Sequence, residues 1–310
     1  MKRIIIDTDP GVDDSMAILL AFNSPELKIE GLTTIFGNTG TTITTQNALR
    51  LVELAGHPEV PVARGAEKPL LRPFTGEGWR VHGRNGLGEV EFPAPQGQPD
   101  PRRAAQFIVD TVMANPGEIT LVPVGPLTNI ALAAMLEPRI VGLVKEVVLM
   151  GGAAGVPGNV SAVAEANVHN DPEAASIVFH AGWPVTMVGL DVTQQTIMSP
   201  AYLDALKQDG GQLTSFIRAI VQHYLQFHLD QGVPGIYVND SSAIAYLIDP
   251  TLFTTRHLFV DVEYQSRYHV GQTVADWRGR RGQAPNCHVC LGVDSERFLA
   301  IYRQRLIGAS

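Results

Sequence analysis

The chain has 310 residues, 45% hydrophobic and 17% charged, a balance that excludes intrinsic disorder and allows one large domain with a substantial core. Its 31 acidic against 23 basic residues leave a formal charge of −8, which argues against nucleic acid or an anionic membrane as the main partner. No apolar run approaches the roughly 18 residues of a membrane-spanning helix. The apolar stretch after Lys2 and Arg3 is shorter than the about 7–15 residues of a secretory signal, so the expected location is the cytoplasm.

The first element is an apolar strand at Ile4–Ile6 inside "IIIDTDPGVDDSMAILLAF" (4–22), followed by a helical pattern from Asp14 to Phe22. Between strand and helix stand Asp7, Asp9, Asp13 and Asp14. Like charges this close repel, and burial makes the repulsion worse, so a bound cation is the first candidate to offset it. "LKIEGLTTIF" then predicts a strand, and a helix is expected from about Thr42 to Leu54, ending at Gly56. Between Pro69 and Pro101 periodicity disappears and Gly and Pro dominate, which marks a long loop of lid or binding type over about 70–98, carrying Trp79, His82, Arg84 and Asn85.

Further along, "EITLVPV" (118–124) predicts a strand before helix-like "PLTNIALAAML", and "KEVVLM" (145–150) a strand before glycine-rich "GGAAGVPGN". "DPEAASIVFHAG" predicts a helix capped by Asp171, and "WPVTMVGLD" a further strand. Helical patterns at 199–208 and 212–230 suggest a cap over the sheet. The two cysteines, Cys287 and Cys290, lie in "CHVCLGV", which alternates like a strand. With no second Cys/His pair of zinc spacing, they are expected to be structural thiols. Apolar strands alternating with helices predict an α/β fold, one domain over 1–310 whose mainly parallel open sheet is flanked by helices. Its active site is expected at the C-terminal ends of the strands.

Several polar clusters fall at those ends: Asp7–Asp14, Asn38 in "TTIFGNTG", the turn "VGPLTN", "GNVSAVAEANVHND" and Asp240 in "YVNDSSAIAYLIDP". Singly, Asp14 and Asp240 read as helix caps and Asn38 and Asn129 as turn residues. Together they gather carboxylate and amide oxygens without His or Cys ligands, a hard donor set that suits Ca²⁺ or Mg²⁺ better than zinc.

"DTDPGVDD", "VGPLTNIALA", "LMGG", "GNV", "AEANVHNDPEAA" and "NDSSAIAYLIDP", in this order, resemble the inosine-uridine-preferring nucleoside hydrolase family over roughly residues 3 to 300. The resemblance implies calcium-dependent hydrolysis of the N-glycosidic bond of ribonucleosides, releasing free base and ribose. It implies that Asp9, Asp14, Asp240 and the main-chain carbonyl of Val124 hold the Ca²⁺, and that Asp9 also activates the attacking water. By the same resemblance Asp13 and Asn167 hold ribose hydroxyls, Asn159 and Glu165 grip the 5′-hydroxyl, Asn38 is a further site amide, and Met150 lines the sugar pocket. His82 corresponds to a histidine on a mobile loop of some members.

Where many members carry a His as leaving-group acid, this chain has Asn239, which can donate a hydrogen bond but not deliver a proton. The helix expected above the base offers His223, Tyr224 and Phe227 as base-contacting residues, with His228 and Tyr237 as other candidate acids or stacking groups. A small ribonucleoside is the implied partner, and the family suggests a homodimer or homotetramer. The competing readings are a metal-dependent phosphohydrolase, since Asp-x-Asp after a first strand also serves aspartyl-phosphate chemistry, and a nucleoside-binding protein with weak turnover.

Overall fold

Strands form at β1 (Lys2–Thr8), β2 (Leu27–Thr34), β3 (Val62–Arg64), β4 (Ile119–Pro123), β5 (Glu146–Met150), β6 (Val185–Val188), β7 (Ile197–Met198), β8 (Ile236–Tyr237), β9 (Phe253–Leu258), β10 (Val260–Glu263), β11 (Gln272–Ala275) and β12 (Cys287–Val293). This computed structural model describes residues 1–76, 78–208 and 211–307. Residue 77 of the expected loop, 209–210 of the expected cap and 308–310 of the expected domain lie outside the described residues.

Eight strands make one sheet in the order β3-β2-β1-β4-β5-β6-β12-β9, and every pairing is parallel except β12 with β9. The mainly parallel α/β fold expected from the sequence is therefore present. Alternation along the strands splits the core. Ile4, Ile6, Val122 and Val148 pack on one face, while Ile5, Leu121, Val147 and Leu149 pack on the other. Cys287 and Cys290, three apart on a strand, fall in the two opposite packing layers, and both are free, buried thiols. Burial raises the Cys290 thiol to about 12, so an inert structural role fits.

The chain winds from β1 through β2 to β3 in one direction, then crosses to β4 on the other side of β1. Strand order thus reverses between β1 and β4, and a crevice opens beyond their C-terminal ends. The loops after β1 and β4 carry the "DTDPGVDD" and "VGPLTN" segments, so topology alone places both at the crevice.

The helix after β1 runs Val12–Phe22 rather than starting at Asp14, which puts Asp13 and Asp14 in its first turn. The Gly11 amide donates to Asp14 Oδ2 at 2.9 Å, closing that turn early. The second helix is Thr41–Leu54. Asp171 caps the helix Pro172–His180 through Ala174 N, as expected. The helices Pro200–Gln208 and Gln212–Asp230 fall on the two segments expected to be helical, and the antiparallel β7–β8 pair closes this excursion just before Asn239. Within 70–98 a short helix, Trp79–His82, interrupts the irregular chain.

One local expectation is corrected. Asn129 is not a turn residue: it lies in the helix Thr128–Leu136, and its amide donates to Asp7 Oδ1 at 2.8 Å and to the Thr34 carbonyl at 3.0 Å. The strands β9, β10 and β11 were invisible to periodicity, because β10 and β11 have four residues each and β9 is an exposed edge.

Candidate active site

Two helices bring their N-termini together at the crevice. The helix Val12–Phe22 carries Asp13 and Asp14, and the helix Asp240–Ile248, packed against it, begins with Asp240. Unpaired backbone N–H groups at a helix start favour negative charge, so this is where such acids are tolerated. Asp13, Asp14 and Asp240 are all buried, and each offers a carboxylate oxygen within 4.8 Å of the others.

Asp14 is the most heavily bonded of the three. Its Oδ1 accepts from Thr8 Oγ1 at 2.5 Å and Asp9 N at 3.2 Å, and its Oδ2 from Gly11 N and from Asn38 Nδ2 at 2.8 Å. Burial, then Asp13, still raises its carboxyl to about 7. Asp240 is pushed well above the ordinary carboxylate range by burial and by Asp13, Asp14, Asp9 and Glu165 in turn. Asp9 is raised well above its ordinary value too, by burial first and Asp14 second. Acids held this way call for a cation between them.

Asp9 stands beside this group rather than inside it. Its Oδ2 accepts from Asn38 N at 2.6 Å, and its Oδ1 is buried without a hydrogen-bond partner among the described residues. Two glycines permit the placement: a Cβ on Gly37 would lie 2.0 Å from Asp9 Oδ2, and one on Gly125 2.5 Å from Oδ1. Asp7 lies within β1 itself, behind the site, rather than between strand and helix with the other acids. Its Oδ1 accepts from Thr33 Oγ1 at 2.6 Å and from Asn129, and burial raises its carboxyl to about 7.

The carbonyl of Val124, just past β4, accepts from Asn167 Nδ2 at 2.9 Å, and the same amide reaches the Met150 carbonyl at 3.1 Å. Asn167, Val124 and Met150 are thus brought together across two strand ends. Glu165 is buried beside them, its carboxylate accepting from Asn167 N, Gly152 N and Val168 N, and burial raises it to about 7. Asn159 is exposed, with its Oδ1 accepting from Ala166 N at 3.0 Å.

The short helix Trp79–His82 delivers a buried His82 to the same crevice. Val12 N donates to its Nδ1 at 3.2 Å, so the neutral ring carries its proton on Nε2, and burial lowers its basicity. The His82 ring stacks on Tyr224 with centroids 5.3 Å apart. His223 Nε2 is turned elsewhere: it lies 3.1 Å from the Arg80 carbonyl and ties the short helix to Gln212–Asp230. Phe227 packs edge-on against His228, 5.5 Å between centroids.

Asn239 sits differently from the catalytic role the sequence suggests. Its Nδ2 donates to Asp13 Oδ2 at 3.2 Å and to Tyr224 Oη at 3.1 Å, leaving no N–H for a leaving group. Sequence reasoning also missed Thr8, whose hydroxyl meets Asp14. The only signal was its position between Asp7 and Asp9.

A buried carboxylate cluster beyond the strand ends, at the switch point of an α/β sheet, could hold a metal ion, and the comparisons along the chain say which class of enzyme carries it here. The family model for inosine-uridine preferring nucleoside hydrolase matches residues 4–300. An "Inosine-uridine preferring nucleoside hydrolase" of Crithidia fasciculata is 44% identical over 300 residues, 96% of this chain and 95% of the relative. "Uridine nucleosidase 1" of Arabidopsis thaliana is 41% identical over 315 residues, covering 99% and 93%. Among solved structures, a "Purine-Preferring Ribonucleoside Hydrolase from Gardnerella vaginalis" superposes with a TM-score of 0.95 at 35% identity, covering 99% of both chains. The chain belongs to the inosine-uridine preferring nucleoside hydrolase family and is an enzyme that hydrolyses ribonucleosides.

Proposed function

We propose that this enzyme cleaves the N-glycosidic bond of ribonucleosides with one bound Ca²⁺, held by Asp9, Asp14, Asp240 and the Val124 carbonyl, releasing free base and ribose. The observation that carries the reading is the convergence of buried carboxylates from two segments far apart in the chain, Asp13 and Asp14 with Asp240. The donor set is all oxygen, which fits a hard divalent cation rather than zinc. Bound calcium would supply positive charge that acidifies a nearby water and anchors sugar hydroxyls.

The chain's own residues do the rest. The bare Oδ1 of Asp9 is the group to take the water's proton, and its confinement between Gly37 and Gly125 keeps it aimed. Asp13 and Asn167 would engage ribose hydroxyls, and Glu165 with Asn159 the 5′-hydroxyl. Asn38 braces Asp9 and Asp14, and Met150 lines the sugar side. Uncompensated carboxylates favour the oxocarbenium-like sugar of the transition state. The segment bearing Trp79–His82 would close over bound sugar and exclude water, supported by its delivery of buried His82 to the crevice. The names of the relatives span inosine, uridine and purine substrates, and we extend that range to this chain. A cytoplasmic homo-oligomer remains part of the proposal.

The test is a panel of ribonucleosides incubated with wild type and with Asp9→Asn, followed by chromatography for base and ribose. Wild type should release both. Asp9→Asn should stay folded and slow release by at least ~10²-fold, the lower end for loss of a general base. Full activity in Asp9→Asn, or a bound but intact nucleoside with wild type, would sink the reading.

A further inference from the structure

Asp13 has two oxygens in unlike situations. Oδ2 accepts from Tyr224 Oη at 3.2 Å and from Asn239 Nδ2 at 3.2 Å, while Oδ1 is buried without a hydrogen-bond partner among the described residues. The two donors are themselves linked, Asn239 Nδ2 to Tyr224 Oη at 3.1 Å, so the three side chains close a triangle. The triangle joins the first turn of one helix, the middle of a second and the cap of a third.

His82 Nδ1 lies 3.6 Å from Oδ1, but that nitrogen already accepts the Val12 N–H and has no proton to give. Asn239 completes the pattern. With its amide N–H committed to protein, its own Oδ1 is also buried and has no hydrogen-bond partner among the described residues. An acceptor is the opposite polarity from the one a leaving-group acid needs. Tyr224 is equally committed, since its hydroxyl donates to Asp13 and accepts from Asn239. Its ring is held by His82 on one side and by His228, 4.4 Å away edge-on, on the other. His228 in turn gives its Nδ1 proton to the Tyr224 carbonyl at 2.8 Å.

We propose that Tyr224 and Asn239 are positioning residues that saturate one oxygen of Asp13 and leave the other as a fixed acceptor for the 2′-hydroxyl, thereby setting the preference for ribose over 2-deoxyribose. The proposal rests on the reading of Asp13 as a sugar-binding group. A carboxylate free to rotate would present either oxygen in many directions. Pinned by two donors, it presents one lone-pair set in one direction, and a sugar lacking the 2′-hydroxyl leaves that charge bare.

The experiment compares p-nitrophenyl riboside with p-nitrophenyl 2-deoxyriboside, whose activated leaving group keeps slow turnover measurable. Tyr224→Phe removes the hydroxyl and keeps the ring stack, and Asn239→Ala removes the second donor. Each should lower kcat/KM on the riboside by about 10- to 10²-fold, as expected for a hydrogen bond to a charged group. The 2-deoxyriboside should change by no more than about twofold, so the ratio between sugars falls. The double variant should lose less than the product of the single losses, because both donors act on one oxygen. Metal content by elemental analysis should match wild type, and for Asn239→Ala the loss on inosine should equal that on the nitrophenyl riboside.

Equal loss on both sugars, a loss of metal, or a loss confined to natural nucleosides would each overturn the positioning role. The last of these would make Asn239 act on the leaving group. Should Tyr224→Phe fail to fold by circular dichroism, Asn239→Ala alone decides. Wild type that cleaves neither glycoside would instead overturn the hydrolytic reading, and this proposal with it.

Discussion

Asp7 shows what one buried acid does when it has no cation to face. Its Oδ1 is satisfied by Thr33 and Asn129, but Oδ2 is buried without a hydrogen-bond partner among the described residues, and desolvation lifts the carboxyl from 3.8 to about 7. Folded Asp7 therefore keeps its proton in a range where the unfolded chain has released it. The stability this contributes is complete below pH 3.8 and is lost as pH rises through about 7. Asp7→Asn cannot ionise and keeps an oxygen for both donors. Relative to wild type its Tm should rise as pH is raised from about 5 to about 8, read by scanning calorimetry of both proteins in parallel. A difference that stays flat over that range would show that Asp7 is charged in the fold. The Asp-rich opening of the chain was legible as a cluster, but the division of labour among its members was not. That division depends on Thr33, Asn129, Asn38 and Tyr224, which lie up to 211 residues away.

At the scale of elements, Asp171 joins three pieces that the sequence reading treated separately. Its Oδ1 caps the helix Pro172–His180 at Ala174 N, while Oδ2 accepts from Thr128 Oγ1 at 2.6 Å and from Leu70 N at 2.9 Å. The cap was readable from "NDPEAA", where an acid stands before a proline in the first turn. The tie to Leu70, 101 residues earlier, anchors the start of the loop that ends in the His82 segment. Asp171→Ala loses the cap and leaves the buried Thr128 hydroxyl and the half-buried Leu70 N–H unpaired, so its cost should exceed a simple cap loss, at about 2–4 kcal/mol. Urea unfolding measures it, and a change below about 1 kcal/mol would mean that water replaces all three bonds. Helices were largely placed by periodicity because each must bury one face, and the central strands by unbroken apolar runs, because the sheet is covered on both faces. The short ribbon of β10 and β11 and the edge strand β9 bury too little to leave such a pattern.

At the scale of the whole molecule, the carboxylate cluster couples two segments far apart in the chain. Asp13 and Asp14 lie near residue 10 and Asp240 near the last third, yet their helices pack side by side. A cation bound there crosslinks the fold and binds little to the unfolded chain, so it stabilises by mass action. Removal of metal with a chelator should lower Tm by several degrees, and added Ca²⁺ should restore it in a concentration-dependent way. An ion at 100 times its Kd contributes about 2.7 kcal/mol. Asp240→Asn should abolish most of that calcium-dependent shift in scanning fluorimetry. Zinc found by elemental analysis, or a Tm indifferent to calcium, would remove the cation from this account.

The sequence alone determined the α/β class, the parallel winding and the crowding of acids at strand ends, because burial periodicity and local charge repulsion are written in neighbouring residues. It also carried the family, in motifs quoted in order from residue 7 to residue 250. Only the tertiary structure decided which oxygen of each acid is free. It put Asp13 rather than Asp9 in the tight carboxylate group, turned Asn239 toward Asp13 and drew Tyr224 into the same triangle. Those choices follow from how three helices pack around the crevice between β1 and β4. Packing of that kind sets distances between residues more than 200 apart, which no local pattern in the chain encodes.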